Sequence, residues 1–450
     1  MKSIFLWLSW FICSAAAAQN LYWKTNLNTG ELGLLQVNFI LQPQGNFYTG
    51  TTPPNAHKRI VGGIKAAFAK SMFQKDGSVA ELDSIALNTD SITGFLLMQK
   101  RKYHLKGLKT GNQIVLSIYS KNSGKVYGAL VAEQVPTLQK PKDYTAVWQH
   151  IKGETEKYIY RKSALETKQW KAFVDRMDEF SAIAEDDAEF AFGFFQYSKE
   201  IGFSHYAVMG SKEQSQNFHS ANYKAPKTKV RPTLEPLDSQ TMLLDIPAFN
   251  FRGSEIDSMM QILVQRQPKN LIIDVRNNTG GDMEGGMRIC QYLTHKTLYG
   301  GIMLAQSYWN KNSTVPSVEQ YTNFKPMNTA NYEWFRNEVK NGVEGLCLLT
   351  QPLANTYKGK VVILTSGVTA SAAEPFVYTL QKENIATIIG EKTSGSVLSM
   401  EYFFIGNLAY TIPMLDYYAF DGTRLDQKGV TPNIVCEQQQ ALTKALEWLQ

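Results

Sequence analysis

The chain has 450 residues, of which 44% are apolar and 19% are charged, with 32 glycines and 16 prolines. These proportions exclude a collagen-like or largely disordered chain, and the length predicts two or three folded domains. The net charge of +6 is mild for this length and the basic residues are dispersed, so we expect no nucleic-acid partner.

The first 18 residues have the pattern of an export signal. Lys2 precedes the mostly apolar stretch Ile4–Ile12, and small residues follow at Ser14–Ala18. Such a stretch is too short to span a membrane and is typical of a cleaved signal peptide. We therefore expect residues 1–18 to be removed and the mature protein to be exported, periplasmic or extracellular, without a stable membrane span. Ile12 precedes Cys13 where a lipoprotein needs a small residue, which disfavours a lipid anchor.

Residues 19–137 predict an N-terminal antiparallel β domain, as a sheet or a barrel-like structure. Short apolar stretches alternate there with turn signals, which is typical of successive hairpins. The stretches are Leu34–Leu41, Ile92–Met98, Gln113–Tyr119 and Val126–Val131, and the turn signals are Asn28–Gly30, Pro43–Gly45, Lys75–Gly77 and Asn122–Gly124. The polar segment Pro136–Asp143 is a candidate linker.

Residues 144–210 predict a helical lead-in, because aromatic and aliphatic residues recur there at helical spacing. The polar segment 211–237 predicts a loop. From residue 238 to 450 strands and helices alternate, which indicates an α/β core. The predicted strands are Met242–Ile246, Leu271–Val275, Val361–Leu364, Ile385–Ile389 and the hairpin of Tyr402–Ile405 with Tyr410–Pro413; the predicted helices are Asp186–Lys199, Gly253–Arg266, Asp282–Thr294, Ser371–Lys382 and Gln438–Leu449.

Three cysteines remain after signal cleavage: Cys290, Cys347 and Cys436. They are far apart and form no Cys-x-x-Cys pair, so we expect no metal site. The sequence does not decide whether two of them form a disulfide, which an oxidising compartment would allow.

Two strand-to-helix turns could carry chemistry. Asp274–Gly281 ends in two glycines, whose uncovered backbone N–H groups could receive an oxyanion. Thr365–Glu374 places Ser371 before a helix, where the N–H of Ala372 could donate to an oxyanion formed at that serine. A plain tight turn and a Ser-x-x-Glu capping box are the structural alternatives. His205, the candidate base, could equally be an ordinary core or loop residue.

Four motifs occur in one order along the last 260 residues. They are Asp274–Gly281, Thr369–Glu374, Gly390–Gly395 and Gly429–Asn433. Together they resemble the tail-specific, or C-terminal processing, serine peptidase family. The resemblance implies an α/β peptidase core of the tail-specific protease, or crotonase-like, type. It implies Ser371 as nucleophile and Gly280 or Gly281, with Ala372, as the oxyanion hole.

Two departures make the chain more similar to the tricorn-core-like branch than to the Ser-Lys branch. The Ser-Lys branch has a lysine base where this chain has Ser396, and Lys392 stands four residues earlier. The tricorn-like branch uses a Ser-His pair and an acid before Gly-Val, which match Ser204, His205 and Asp426, although that branch has glutamate there. Residues 210–240 are too few for the family's PDZ domain, so none is predicted.

The sequence thus predicts an exported serine endopeptidase that acts on a peptide or protein substrate without a metal or cofactor. The first alternative is a non-catalytic peptide-binding protein on a peptidase scaffold, motivated by the missing lysine and by the aspartate at 426. The second is another serine hydrolase, which is disfavoured because no Ser-x-x-Lys and no Gly-x-Ser-x-Gly motif occurs. The oligomeric state stays open.

Overall fold

The computed structural model describes residues 19–30, 32–53, 78–121, 124–212, 231–327 and 332–450. The predicted signal peptide, Cys13 and the Lys75–Gly77 turn lie outside these ranges. The described chain divides into two compact units, which are presented one at a time. The first unit contains the chain up to Pro141 with Glu185–Glu189, and the second contains the remaining described residues.

The first unit is a closed antiparallel barrel, which confirms the predicted N-terminal β domain. Its strands are β1 Leu21–Thr29, β2 Gly33–Gln44, β3 Phe47–Thr51, β4 Ala80–Leu87, β5 Ser91–Met98, β6 Arg101–Thr110, β7 Gln113–Ser120 and β8 Val126–Val135. Each strand pairs with the next, and β1 also pairs with β8 to close the barrel. Apolar side chains such as Trp23, Phe39 and Leu116 fill the interior. The four predicted apolar stretches lie in β2, β5, β7 and β8.

The helical lead-in of the second unit carries an aromatic cluster. Its elements are α1 Tyr144–Tyr158, a 3-10 turn at Lys162–Glu166, α2 Lys168–Ile183, α3 Asp187–Ser198 and the short strand β9 Val208–Gly210. Rings of α2 and α3 pack on the segment that follows α3: Trp170 contacts Phe203 at 6.0 Å and Phe194 contacts Tyr206 at 4.9 Å between centroids. This packing fixes the segment that contains His205.

The rest of the second unit holds a mostly parallel sheet and a mixed one. The first has the order β10 Thr233–Pro236, β11 Thr241–Asp245, β12 Asn270–Asp274, β16 Lys360–Thr365, β17 Ala386–Gly390 and β20 Ile434–Val435; the second has the order β14 Lys325–Met327, β15 Gly345–Thr350, β13 Leu298–Ala305, β19 Leu408–Tyr418 and β18 Ser399–Ile405, with β9 beside β19. In the first sheet β10 is antiparallel to β11 and the other neighbours are parallel.

Helices cover both faces of the first sheet. The helices of this region are α4 Gly253–Arg266, α5 Met283–Leu293, α6 Gln306–Trp309, α7 Tyr332–Lys340, α8 Ala373–Lys382 and α9 Ala441–Leu449, with 3-10 turns at Val318–Asn323 and Gln438–Gln440. Tyr308 and Trp309 of α6 pack against the second sheet. Because successive strand residues face opposite sides, Ile272 and Val362 pack against α9. Leu271 and Ile273 face α4, α5 and α8, which share a core with the second sheet. These layers confirm the predicted α/β core.

Two sequence expectations need correction. Thr233–Pro236, inside the predicted loop, forms an edge strand because its backbone pairs with β11; residues 213–230 of that loop lie outside the described ranges. Helix α8 begins at Ala373 rather than at Ser371, whose backbone has a left-handed φ of 55°. The cysteines at 290, 347 and 436 are all free. No helix in the described ranges is long and apolar enough to cross a membrane.

Candidate active site

Two turns meet at the carboxyl edge of the parallel sheet. Strands β12 and β16 are parallel neighbours, so the segments that follow them leave the same edge. The hydroxyl of Thr369 donates to the carbonyl of Val275 at 2.8 Å, and the N–H of Ala370 donates to the carbonyl of Asn278 at 3.0 Å. The glycine turn and the serine turn, recognised separately in the sequence, therefore form one structure.

Ser371 does not cap helix α8. A capping serine would accept a hydrogen bond through its hydroxyl, but the N–H of Glu374 donates to the backbone carbonyl of Ser371 at 2.9 Å. The Glu374 carboxylate accepts from the N–H of Ser371 at 3.3 Å, so only the return half of a capping box forms. The left-handed backbone turns the hydroxyl of Ser371 away from the helix and towards His205.

Four side chains form a hydrogen-bonded row. Oγ of Ser371 lies 3.1 Å from Nε2 of His205, and Nδ1 of His205 lies 2.8 Å from Oγ of Ser204. Oγ of Ser204 donates to Oδ1 of Asp426 at 2.6 Å. Asp426 therefore reaches His205 through the serine hydroxyl, and its side chain is short enough for that connection. All four residues come from the sequence prediction, and the structure brings them together.

The row dictates the tautomer of His205. Asp426 accepts from Ser204 Oγ and from the N–H of Val397, as an ionised carboxylate does. The only hydroxyl proton of Ser204 is used in the hydrogen bond to Asp426, so the Ser204 oxygen accepts a hydrogen bond from Nδ1 of His205. That assignment leaves the lone pair of Nε2 facing the hydroxyl of Ser371, which donates to it.

Burial controls the charge of the histidine. Desolvation lowers the pKa of His205 below its ordinary value of 6.5, and the charge of Asp426 opposes that shift. The imidazole is therefore neutral at pH 7 and can accept a proton. His205 also has a left-handed φ of 59°, like Ser371. Non-glycine residues adopt this conformation only where the surrounding structure holds them.

A partly buried arginine contacts the second carboxylate oxygen of Asp426. Nη2 of Arg424 lies 3.3 Å from Oδ2 of Asp426, and its Nε donates to Asp416 at 2.9 Å. Desolvation raises the pKa of Asp416 to about 6. Arg424 thus provides a cation beside a carboxylate whose side chain has no exposed surface. The sequence reasoning missed Arg424, although it stands two residues before the predicted acid.

A second buried carboxylate, Glu374, holds the turn that contains Ser371. Glu374 accepts from the hydroxyl of Thr393 at 2.6 Å and from the N–H groups of Gly395 and Ser396 at 2.9 and 2.8 Å. The carbonyl of Ser396 accepts from the N–H of Ser371 at 2.8 Å. Burial raises the pKa of Glu374. Glu374 therefore joins the backbone of Ser371 to the segment where the Ser-Lys branch has its lysine.

The two glycines of the turn have different roles. The N–H of Gly280 donates to Oδ1 of Asn278 at 2.8 Å, so it is already used. A Cβ on Gly280 would lie 2.5 Å from the Cβ of Ser371, which is too close. The backbone at position 280 can therefore lie this near to Ser371 only if the residue is glycine. Within the described ranges, the N–H groups of Gly281 and Ala372 have no hydrogen-bond acceptor. Of the predicted oxyanion donors, Gly281 and Ala372 remain available.

A cavity of about 110 Å³ opens in front of Ser371. His205, Gly281, Met283, Ser371 and Met400 are among its lining residues. Elsewhere along the carboxyl edge, Lys392 is exposed, and Oγ of Ser396 lies 3.0 Å from Oγ of Ser394. The described residues include no group of three or more His, Cys, Asp or Glu side chains that could hold a metal ion.

Residues 240–436 match the model of peptidase family S41. The C-terminal region of this chain belongs to peptidase family S41. The match supports a serine peptidase, a hydrolase of the tail-specific type. The S41 match includes Ser371 and Asp426, whereas Ser204 and His205 precede it.

Solved structures that align with this chain include a putative peptidase from Parabacteroides merdae. The alignment has 15% sequence identity and a TM-score of 0.47, and it covers 69% of this chain and 97% of that one. A lipoprotein from Streptococcus agalactiae has 17% identity, a TM-score of 0.45, and coverage of 70% and 99%. The photosystem II D1 C-terminal processing protease has 12% identity, a TM-score of 0.40, and coverage of 66% and 94%.

Proposed function

We propose that this S41 peptidase is an exported endopeptidase that cleaves peptide bonds through an acyl-enzyme on Ser371. The observation that carries the proposal is the unbroken row from Ser371 Oγ through His205 and Ser204 to Asp426, with contacts of 3.1, 2.8 and 2.6 Å. A nucleophile in contact with an oriented base is the arrangement that acyl transfer requires.

The first half of the reaction forms the acyl-enzyme. Oγ of Ser371 attacks the peptide carbonyl carbon while Nε2 of His205 takes the hydroxyl proton. The carbonyl oxygen becomes an oxyanion, which the N–H groups of Gly281 and Ala372 stabilise. The imidazolium then gives its proton to the leaving amine as the C–N bond breaks.

The second half regenerates the enzyme. Water replaces the amine, His205 takes one of its protons, and the new hydroxyl attacks the acyl carbon. The ester bond to Ser371 breaks and its oxygen recovers the proton from His205. During both halves Ser204 connects Asp426 to His205 by hydrogen bonds. The negative charge of Asp426 stabilises the imidazolium, which exists only during the reaction.

Active-site labelling tests the nucleophile. A fluorophosphonate reagent should label the wild type and leave Ser371→Ala unlabelled, and casein hydrolysis should disappear in the same variant. Loss of one N-cap hydroxyl costs about 1 kcal/mol at most sites, and Ser371 does not cap, so the variant should stay folded. Lys392→Ala is the matched control, because this exposed lysine is the alternative base; it should keep both labelling and hydrolysis.

The results separate the proposal from its rivals. Hydrolysis by a folded Ser371→Ala protein would exclude Ser371 as nucleophile. Loss of hydrolysis in Lys392→Ala, with His205→Ala active, would assign the base to the lysine. A wild type that binds peptides but neither reacts nor hydrolyses would be the non-catalytic protein. Export is tested on the secreted protein by N-terminal sequencing, which should begin at Gln19; an intact Met1 would refute it.

A further inference from the structure

The excess positive charge of the chain lies in its N-terminal barrel domain. Residues 19–141 contain 14 Lys and Arg against 6 Asp and Glu, which gives a net charge of +8. Residues 142–450 contain 31 Lys and Arg against 34 Asp and Glu, which gives a net charge of −3. No single run of sequence shows this division, because the basic residues are dispersed. A basic part within one chain favours contact with a negatively charged partner.

The hairpins bring some of this charge to one end of the barrel. Because neighbouring strands are antiparallel, the turn after β5 and the turn after β7 leave the barrel at the same end. Tyr103 of β6 pairs with Ser120 of β7, so the residues just beyond this pair are also neighbours. Five cationic residues stand beyond it and together form the basic end: Lys100, Arg101, Lys102, Lys121 and Lys125.

The side chains of the basic end are accessible from solvent. Those of Lys100, Arg101, Lys121 and Lys125 are exposed, and that of Lys102 is partly buried, with Nζ 4.0 Å from the centre of the Phe95 ring. Like charges that lie close together on a sheet repel each other. An anionic partner would remove that repulsion.

The neighbouring strand β4 supplies two carboxylates at this end, Glu81 and Asp83. Asp83 binds Lys102 at 2.8 Å, so one of the five cations has a counter-ion within the barrel. Among the described residues of strands β4 to β8 at this end, cations therefore outnumber carboxylates, and the excess is available to an external anion.

The turn between β5 and β6 has an unusual sequence for its backbone shape. Met98 pairs with Arg101, so Gln99 and Lys100 form a two-residue turn, and their φ values of 50° and 60° are both left-handed. Asn-Gly is the sequence that favours such a turn, because these residues adopt a positive φ at little cost. Lys100 thus occupies the tip at some cost in conformational energy, which indicates that its side chain serves recognition rather than turn stability.

The opposite end of the barrel has a different charge. Its turns at residues 45–46, 88–90 and 111–112 contain no lysine or arginine and one carboxylate, that of Asp90. Lys109 lies near this end, and its Nζ contacts Oε1 of Gln134 at 3.4 Å. The positive charge is therefore polarised along the barrel, towards the turns that follow β5 and β7.

Turn tips and strand ends at one end of a barrel can meet a flat surface together. Groups of about four to eight Lys and Arg residues of this kind bind anionic phospholipid headgroups, and each cation contributes to the attraction. The predicted export signal would take the chain across a membrane, so a bilayer is the anionic surface that the exported protein meets first.

We propose that the basic end docks this protein on the surface of an anionic phospholipid bilayer as a peripheral contact. The attraction is electrostatic, so added salt should weaken it by screening. The proposal goes beyond the proposed peptidase function and does not depend on it, because all five residues belong to the barrel and none contacts Ser371 or His205.

Co-sedimentation of the mature full chain with vesicles tests the proposal. At low ionic strength, sucrose-loaded vesicles of equal parts phosphatidylglycerol and phosphatidylcholine should sediment the wild type, and vesicles of phosphatidylcholine alone should not. The double variant Lys100→Gln/Lys121→Gln should bind the anionic vesicles at least about tenfold more weakly, because each lysine near a charged bilayer raises the affinity by about fivefold.

Lys24→Gln/Lys109→Gln is the matched control. Lys24 lies opposite Glu133, and Lys109 contacts Gln134, so both belong to the same barrel but lie towards its other end. The control removes the same charge from the same domain and should bind the anionic vesicles as the wild type does. Both double variants change surface side chains and should keep the circular dichroism of the wild type.

The outcomes separate this proposal from its alternatives. Equal weakening in both double variants would attribute binding to net charge alone and overturn the basic end as the docking surface. A wild type that stays in solution with anionic vesicles, or that binds them regardless of salt, would overturn it as well. Binding to heparin but not to the vesicles would make the partner a soluble polyanion, which also contradicts the proposal. Fluorophosphonate should label Ser371 equally in both double variants, so labelling and sedimentation judge the two proposals independently.

Discussion

Asp426→Asn should change the proton arrangement of the whole hydrogen-bonded row of Ser371, His205, Ser204 and Asp426. The carboxylate of Asp426 is the acceptor in each of its hydrogen bonds. Oδ1 accepts from Ser204 Oγ and Val397 N–H, and Oδ2 accepts from Ser204 N–H and Arg424 Nη2. An asparagine amide must point its NH₂ group at one of these two sides. Arg424 cannot act as an acceptor, whereas the hydroxyl of Ser204 can turn round.

The NH₂ group should therefore take the side of Ser204. The hydroxyl then accepts from the amide and donates to Nδ1 of His205, which moves the imidazole proton to Nε2. A protonated Nε2 cannot take the proton of Ser371, and the imidazolium also loses its negative partner. An equivalent loss in a serine peptidase is about 10²–10⁴-fold in kcat, or roughly 3–5 kcal/mol of transition-state stabilisation.

Two measurements check this chain of effects. Casein hydrolysis gives kcat, and ¹⁵N NMR of the imidazole nitrogens of His205 reports the tautomer directly. Asp178→Asn is the matched control, because Asp178 accepts from Trp148 Nε1 at 2.6 Å and from Gln149 Nε2 at 3.0 Å and is not part of the row. It should leave both readouts unchanged.

Each outcome has a definite meaning. A wild-type kcat in Asp426→Asn would refute a catalytic part for the acid and leave a dyad of Ser371 and His205. A reduced kcat with the proton still on Nδ1 would refute the tautomer argument and assign the loss to the missing charge alone.

The remaining predictions concern pH and the second buried carboxylate. Because burial lowers the pKa of His205, kcat/KM should fall only below pH 6.5, in a profile with one ionisation; an acid limb centred above 6.5 would contradict the desolvation argument. The unfolded chain binds this proton more readily than the folded one, so His205 lowers the stability as the pH drops below 6.5. Urea titrations should show this loss in the wild type relative to His205→Gln, because Asp416, whose pKa is raised, contributes with the opposite sign in both proteins. Glu374→Gln turns an amide NH₂ towards backbone N–H donors on either side, which should cost about 1–3 kcal/mol of stability. It should lower kcat by about tenfold or more with little change in KM, since the backbone of Ser371 loses a support; an unchanged kcat would make Glu374 purely structural.

The fold was largely predictable where local patterns decide the structure. Short apolar runs between turn signals identified strands β2, β5, β7 and β8 of the barrel. They also identified the central parallel strands, because a strand that is buried on both faces needs apolar side chains throughout. Two strands of the second sheet, Leu298–Ala305 and Gly345–Thr350, were not recognised. They pair with each other across forty residues of chain, and the first contains two glycines that weaken its strand pattern. Thr233–Pro236 was missed because proline and lysine surround it, although an edge strand tolerates both.

The site was predictable through resemblance rather than through spacing. Ser371 and His205 are 166 residues apart, and Ser204 and Asp426 are 222 apart. No local signal connects such positions. The order of the four motifs indicated Ser371, and the similarity to the tricorn-core-like branch indicated Ser204, His205 and Asp426. Arg424 and the acceptor role of Glu374 were missed, because the value of a buried charge depends on partners that the fold brings together. The sequence does not distinguish Gly280 from Gly281 as an oxyanion donor, because the difference is a hydrogen bond that only the fold creates: the N–H of Gly280 donates to Oδ1 of Asn278.

The Ser-x-x-Glu motif shows why the local sequence pattern was misleading at Ser371. A serine that caps a helix has an extended backbone, and its hydroxyl then points back along the helix. Ser371 cannot do this and also reach His205, so its backbone adopts a left-handed φ at a cost of about 1–2 kcal/mol. Glu374 compensates by holding the N–H of Ser371 and the segment around Ser396. The same two residue types thus serve a different purpose: the glutamate secures the turn, and the serine hydroxyl is released to the base.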